Sequence, residues 1–347
     1  MILDLFSGVG GWLEGLGPGV PHVGVEIDPD AAATSRAAGH NVVQADVTLL
    51  DPSDYSGIVG ITASPPCQSF SVAGSGAGRA ALDRVLSAVR GNTPALDRRT
   101  RLTVEPLRWI KILKPEWVCM EQVPTVLPVW RAYSDRLRQL GYAVDVGVLD
   151  ASYFGVPQSR KRAVLIASRL GKVELPWPGE VTPMSVVFAH SDGRVQRSNY
   201  SGSGPVGART AQERGRTMRG LDQPSVTITR RAPQWEFGDG DRRTFTVSEC
   251  AALQSFRPDF PWSGGVNSAR LQCGNAVPPL LARALIAAAT KPVGRVDPAP
   301  FARVGILVPR GLSKRLRLAA TSLGVSASDL AREAVENAVK SHAVTNN

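Results

Sequence analysis

Cysteine is scarce in this chain: four in 347 residues, at positions 67, 119, 250 and 273. No two of them have the spacing of a zinc site or a disulfide framework, so neither is expected. No run of about 18 apolar residues occurs, which argues against a membrane-spanning helix. The N-terminus enters an apolar stretch at Ile2 without a basic region or a small-residue cleavage site, so no signal peptide is read and a cytoplasmic location is expected. Acid is also in deficit. Thirty Asp and Glu against 40 Lys and Arg leave a net charge of +10. A polyanionic partner is the natural reading of that balance. The arginines are clustered, at 79, 84, 90, 98, 99, 101 and 108 and again at 194, 197, 209, 214, 216, 219, 230 and 231. Clustering suits phosphate and base-edge contacts better than scatter does.

Short apolar runs alternate with helical stretches through the first half. Residues 2–6, 23–27, 42–45, 58–63, 116–120, 143–149 and 163–167 read as strands. Residues 12–16, 105–113 and 129–140 read as helices, and Asp28-Pro29 reads as an N-cap followed by proline, opening a helix that Gly39 ends. This alternation predicts a doubly wound, parallel-dominated α/β sheet. From 175 to 240 the pattern weakens into glycine, serine, proline and arginine. Trp177, Phe188, Trp235 and Phe237, with a strand-like stretch at 225–229, favour a small irregular domain there. Periodicity returns at 246–256 and in a helix at 279–289.

The segment Leu3-Asp4-Leu5-Phe6-Ser7-Gly8-Val9-Gly10-Gly11 falls where the first strand meets the first helix. Glycines there let a ligand approach the backbone and the free N–H groups of the helix start. Glu26 ends the second strand, where a carboxylate can accept from a ribose diol. Asp46 ends the third, where it can accept from an adenine amino group. The loop lacks the lysine and Ser/Thr of a phosphate-binding loop, so a nucleoside without a triphosphate fits better. The next strand runs into Ser64-Pro65-Pro66-Cys67-Gln68-Ser69. Two prolines stiffen that turn and aim Cys67 at the crevice beyond the strand ends. The other three cysteines read as small buried hydrophobes. Glu121 ends the following strand, and Gln158-Ser159-Arg160-Lys161-Arg162 abuts another, so one or two of its arginines reach inward.

In this order the residues resemble the DNA (cytosine-5)-methyltransferases. Phe6-Ser7-Gly8-Val9-Gly10-Gly11 is similar to that family's cofactor loop, Pro65-Pro66-Cys67 to its nucleophile motif, and Glu121-Gln122-Val123 to its Glu-Asn-Val motif. Gln158-x-Arg160-x-Arg162, the stretch 243–258, and Gly274-Asn275-Ala276-Val277-Pro278-Pro279 resemble three further motifs. The resemblance covers about residues 1–290. It implies a Rossmann-like fold and S-adenosylmethionine as cofactor. Carried over residue by residue, it places that cofactor against Asp4, Phe6, Ser7, Gly8, Gly10, Gly11, Glu26, Ile27, Asp46, Pro66, Asn275 and Val277. It makes Cys67 the nucleophile toward cytosine C6 and Glu121 the group that holds or protonates N3. It puts Arg162 and Arg160 near O2 of a base flipped from double-stranded DNA. Residues 79–101 fall where the family has a mobile loop. Gln122 departs from the usual asparagine.

The resemblance divides the chain into a catalytic domain at 1–172 plus 268–290 and a target-recognition domain at 173–267, with a proline-rich linker at 291–300. Residues 301–345 read strand–helix–helix and resemble the ribbon-helix-helix modules, which implies a homodimer through that tail. Two alternatives stay open at this point. One is an RNA (tRNA) cytosine-5 methyltransferase, although the Cys-Phe-Thr signature of that branch is absent. The other is a DNA-binding regulator acting through the tail.

Overall fold

The computed structural model describes residues 1–66, 70, 77–188, 194–196, 218–230, 232–236 and 242–291. The chain divides into two units, Met1–Gly294 and Arg295–Asn347. The 301–345 tail, nearly all of the expected linker, Cys67, and Phe237 lie outside the described residues.

Seven strands form one sheet: β1 Ile2–Leu5, β2 His22–Glu26, β3 Val42–Gln44, β4 Gly60–Ala63, β5 Trp117–Gln122, β6 Ala143–Asp150 and β7 Lys161–Ser168, in the order β3-β2-β1-β4-β5-β7-β6. Every residue of β1, β4 and β5 is buried. Such unbroken burial marks strands covered on both faces, which is why they stand at the centre. Strands β1 to β5 pair in parallel, and β7 runs antiparallel to both β5 and β6. Strand order reverses between β1 and β4, and ligands of open α/β sheets bind in the crevice at such a reversal.

One layer of the core packs Leu3, Leu5, Ile61 and Val118 against Trp109, Trp130, Tyr133 and Leu137 from the helices Glu105–Leu113 and Leu127–Gln139. The other packs Ile2, Trp117 and Ile166 against Trp12, Leu281 and Leu285. Each large side chain fully buried this way contributes about 1.5–3 kcal/mol. On that second face the helices Gly11–Leu16 and Pro279–Thr290 meet closely. A Cβ on Gly15 would lie 2.6 Å from Ala282 Cβ, so a larger residue would force them apart. The helix Pro29–Ala37 starts as its sequence predicts, with Asp28 accepting from the Ala31 N–H at 2.9 Å and proline in the first turn.

A second, antiparallel sheet joins β8 Arg194–Gln196, β9 Met218–Arg219, β10 Gln234–Glu236 and β11 Arg242–Thr244, in the order β11-β10-β8-β9. Its own core holds Val195, Trp235 and Phe245, with Cys250, Leu253 and Cys273 from the helices Val247–Leu253 and Val266–Asn275. Thr246 and Glu249 cap the first of these helices reciprocally, and Glu249 also accepts from Trp235 Nε1 at 2.9 Å. The stretch 225–229 is not a strand of either sheet. It forms a single bridge, Gln158 to Ser225, because side chains take its backbone groups instead, as where Gln158 Oε1 accepts from the Ile228 N–H. Among the described residues no helix is long and apolar enough to cross a membrane.

Candidate active site

A cavity of about 530 Å³ opens beyond the C-terminal ends of β1, β2, β4 and β5. Pockets of roughly 300–1,000 Å³ suit small organic ligands. The loop after β1 forms its floor. Phe6 and Gly8 hold left-handed backbone, at φ 59° and 55°. For Phe6 that conformation costs about 1–3 kcal/mol, a strain typical of functional loops. No atom lies within 4 Å of where a Cβ on Gly8 would be, so the backbone there is open to a ligand. At Gly11 a Cβ would collide with the Val277 carbonyl, which fixes why this loop and the 274–279 motif can lie together.

The Glu26 carboxylate closes the loop. It accepts from the N–H groups of Gly8 at 2.7 Å, Ile27 at 2.9 Å and Asp28 at 2.8 Å. Burial pushes its pKa upward, and those backbone donors oppose the shift. Ile27 is 57% exposed and offers an apolar face at the rim. At the end of β3, Asp46 Oδ1 accepts from the Thr48 N–H at 3.0 Å and its hydroxyl at 2.8 Å, while Oδ2 takes Arg98 Nη2 at 2.7 Å. The Thr48 N–H is the chief reason that its pKa lies below the usual carboxylate range, with the Thr48 hydroxyl and Arg98 adding to it.

Of the residues expected at the cofactor, Phe6, Ser7, Gly8, Gly11, Glu26, Ile27, Asp46, Pro66, Asn275 and Val277 line this one cavity; Asp4 and Gly10 do not. Asp4 is fully buried and accepts from Thr62 Oγ1 at 2.8 Å across β1 and β4. Burial pushes its pKa well above the ordinary carboxylate value, against the lowering effect of the Thr62 hydroxyl. Gly10, at φ 90°, lets the turn pass over His40, whose Cδ2 would be 2.7 Å from a Cβ.

At the other end of the cavity, Glu121 closes β5 and Arg162 opens β7. Antiparallel pairing of those strands brings Arg162 Nε to 2.6 Å from Glu121 Oε1, and their side chains are only 13% and 6% exposed. Gln122 turns back on the preceding loop. Its Nε2 donates to the Pro65 carbonyl, and its Oε1 accepts from the Val123 N–H at 2.6 Å. Thr125 Oγ1 donates to the Phe70 carbonyl at 2.8 Å, and the Phe70 ring is fully buried. Residues on either side of 67–69 are therefore tied to the same end of β5. Cys67 itself lies outside the described residues. The other cysteines are buried, and burial raises all three pKa values, that of Cys250 to about 12.

Arg160 and Arg162 part company. Arg160 is 2% exposed and spends its guanidinium on carbonyls: Nη1 on Ile228 at 3.1 Å, Nη2 on Gly274 at 2.9 Å and Ala276 at 3.0 Å. It ties the second sheet's neighbourhood to the 274–279 motif. Stripping donors from such buried carbonyls costs about 1–3 kcal/mol each. Gln158, fully buried, does similar work on Leu253 and Gln254. Among the lining residues not foreseen there are Arg98, Arg99 and Leu102. Asp97, which caps the short helix Arg98–Arg101 by accepting from the Thr100 N–H at 3.0 Å, was the available signal.

The model of the C-5 cytosine-specific DNA methylase family matches residues 1–190 and 185–291. The Type II methyltransferase M1.HphI of Haemophilus parahaemolyticus is 30% identical over 338 residues, covering 83% of this chain and 86% of its own. The Type II methyltransferase M.AplI of Arthrospira platensis is 29% identical over 313 residues, covering 82% and 84%. In fold, the chain is similar to the crystal structure of S. pombe Dnmt2 methyltransferase, with a TM-score of 0.60 and 20% identity over 83% of this chain and 97% of that one.

Proposed function

The chain belongs to the C-5 cytosine-specific DNA methylase family, and on that premise we propose that it methylates a flipped-out cytosine in double-stranded DNA through a covalent adduct on Cys67. The observation that carries this reading is the convergence on one crevice of the Glu26–Asp46 cavity, the Glu121–Arg162 pair and the two ties flanking 67–69.

The cavity suits S-adenosylmethionine. Gly8 gives an open backbone face, Glu26 an acceptor for a ribose diol, Ile27 an apolar wall, and Asp46 an acceptor for an adenine amine. When bound, that cofactor supplies an electrophilic methyl group. Cys67 as thiolate forms a bond to cytosine C6, and the C5–C6 π electrons become available at C5. Glu121 delivers or shares a proton at N3, which keeps negative charge from building on the ring. Arg162 holds Glu121 in place and lies within reach of O2. After methylation, loss of the C5 proton restores the double bond and breaks the sulfur–C6 bond. Arg160 serves as a positioning residue, because its donors are committed to carbonyls. Residues 173–267 supply target recognition around the second sheet, against a catalytic body of 1–172 and 268–290. The protein acts in the cytoplasm.

DNA over RNA is favoured by the family match and by Type II relatives that align along more than four fifths of the chain. Incubation with S-adenosylmethionine and DNA bearing 5-fluorocytosine tests the mechanism, because fluorine cannot leave C5 as a proton. A denaturation-stable adduct on Cys67 is expected. No adduct, or one on Cys119, Cys250 or Cys273, overturns it. The homodimer through 301–345 rests on the sequence pattern, and sedimentation of the full chain as a monomer at micromolar concentration would exclude it.

A further inference from the structure

One carboxylate oxygen in the cavity has two claimants. Asp46 Oδ1 is filled by the backbone N–H and hydroxyl of Thr48, which leaves Oδ2 for any ligand. Oδ2 is already engaged by Arg98 Nη2 at 2.7 Å. The pair is lopsided: the Arg98 side chain is 79% exposed and that of Asp46 12%. Arg98 therefore reaches in from solvent to an acid that the fold holds still. It opens the short helix Arg98–Arg101, in the arginine-rich stretch downstream of Cys67, and Arg98, Arg99 and Leu102 form a wall of the same cavity that Glu26 and Ile27 line.

Resting on the reading of this cavity as the S-adenosylmethionine site, we propose that Arg98 is a cofactor-controlled DNA contact. Asp46 holds its guanidinium while the cavity lacks the cofactor and releases it to a DNA phosphate once the adenine amine takes Oδ2. An exposed ion pair is weak, so the exchange is cheap in either direction. Linkage makes it reciprocal: whatever frees Arg98 for the phosphate also tightens the cofactor. With Oδ1 held by Thr48, a ligand amine must meet Asp46 at Oδ2, where the Arg98 guanidinium already stands in the wall of the cavity and has to give way.

Counterion release reads the exchange directly. Each phosphate contact adds about 0.9 to the slope of log affinity against log salt. Binding of the protein to a fluorescein-labelled DNA duplex carrying its methylated site is measured across a salt series, with and without S-adenosylhomocysteine. The wild-type slope is expected to steepen by about one contact when S-adenosylhomocysteine is present. In Arg98→Ala the two slopes coincide, and S-adenosylhomocysteine binds about two- to five-fold tighter in calorimetry without DNA, because its competitor is gone. Arg98→Gln repeats both readouts. Equal slopes in the wild type, a difference that survives in both variants, or weaker S-adenosylhomocysteine binding in Arg98→Ala each overturn the proposal. The last would make Arg98 a wall of the site. Failure of the underlying site reading looks different: the wild type would not bind S-adenosylhomocysteine, or Glu26→Ala would leave its affinity unchanged.

Discussion

Replacing Cys67 with alanine is expected to abolish methyl transfer, a loss of at least about 10⁴-fold in single-turnover rate. Knocking out the nucleophile of a covalent catalyst removes the whole reaction path, so losses of this order or larger follow. Cytosine C5 is a poor nucleophile until sulfur adds at C6, and the fold offers no second thiol for the task. Cys119 lies fully buried in β5, and Cys250 and Cys273 lie in the core under the second sheet, where burial holds all three as thiols. Folding is not at stake. The ties from Gln122 to Pro65 and from Thr125 to Phe70 use backbone carbonyls on either side of position 67, and alanine leaves both in place. Filter assays with tritiated S-adenosylmethionine, alongside thermal melts of the variant, check both halves. Residual transfer above about a hundredth of wild type would remove Cys67 from the mechanism.

Much of this site was readable before any coordinates because its chemistry sits at strand ends. An apolar run that stops at an acid or a glycine announces where a parallel sheet delivers a side chain, and Glu26, Asp46 and Glu121 were all found that way. What periodicity does not carry is direction within the last turn. Asp4 lies in the same motif as Phe6 and Gly8, yet its place in β1 points it at Thr62 beneath the loop. Arg160 and Arg162 look alike in a basic run. Only long-range packing tells them apart, since the partners of Arg160 lie at 228, 274 and 276. The helix Leu82–Val89 is absent from the elements expected above, although Leu82, Val85, Leu86 and Val89 repeat at helical spacing and Val85 and Val89 are fully buried. The helix Val266–Asn275 had no comparable signal. It buries Gln272, whose Oε1 accepts from Thr34 Oγ1 at 2.7 Å, and a polar residue in a core position blurs the amphipathic pattern.

Glu121→Gln is expected to lower the rate of methylation by about 10²–10⁴-fold while leaving DNA and S-adenosylhomocysteine affinities within about three-fold, since a positioned acid–base group contributes on that scale to the chemical step alone. The substitution keeps shape and volume, so the end of β5 and the Gln122 tie to Pro65 persist. What it removes is a charge and a transferable proton. Arg162, 2.6 Å from the carboxylate, then loses its ionic partner and swings more freely. An amide can donate a hydrogen bond to N3 but cannot hand over the proton, so charge accumulates on the ring as sulfur adds. The adduct with 5-fluorocytosine DNA should therefore form more slowly in Glu121→Gln but still on Cys67, and it should be lost altogether in Cys67→Ala. A Glu121→Gln enzyme that methylates within ten-fold of wild type would assign protonation at N3 to another group and leave Glu121 as a support for Arg162.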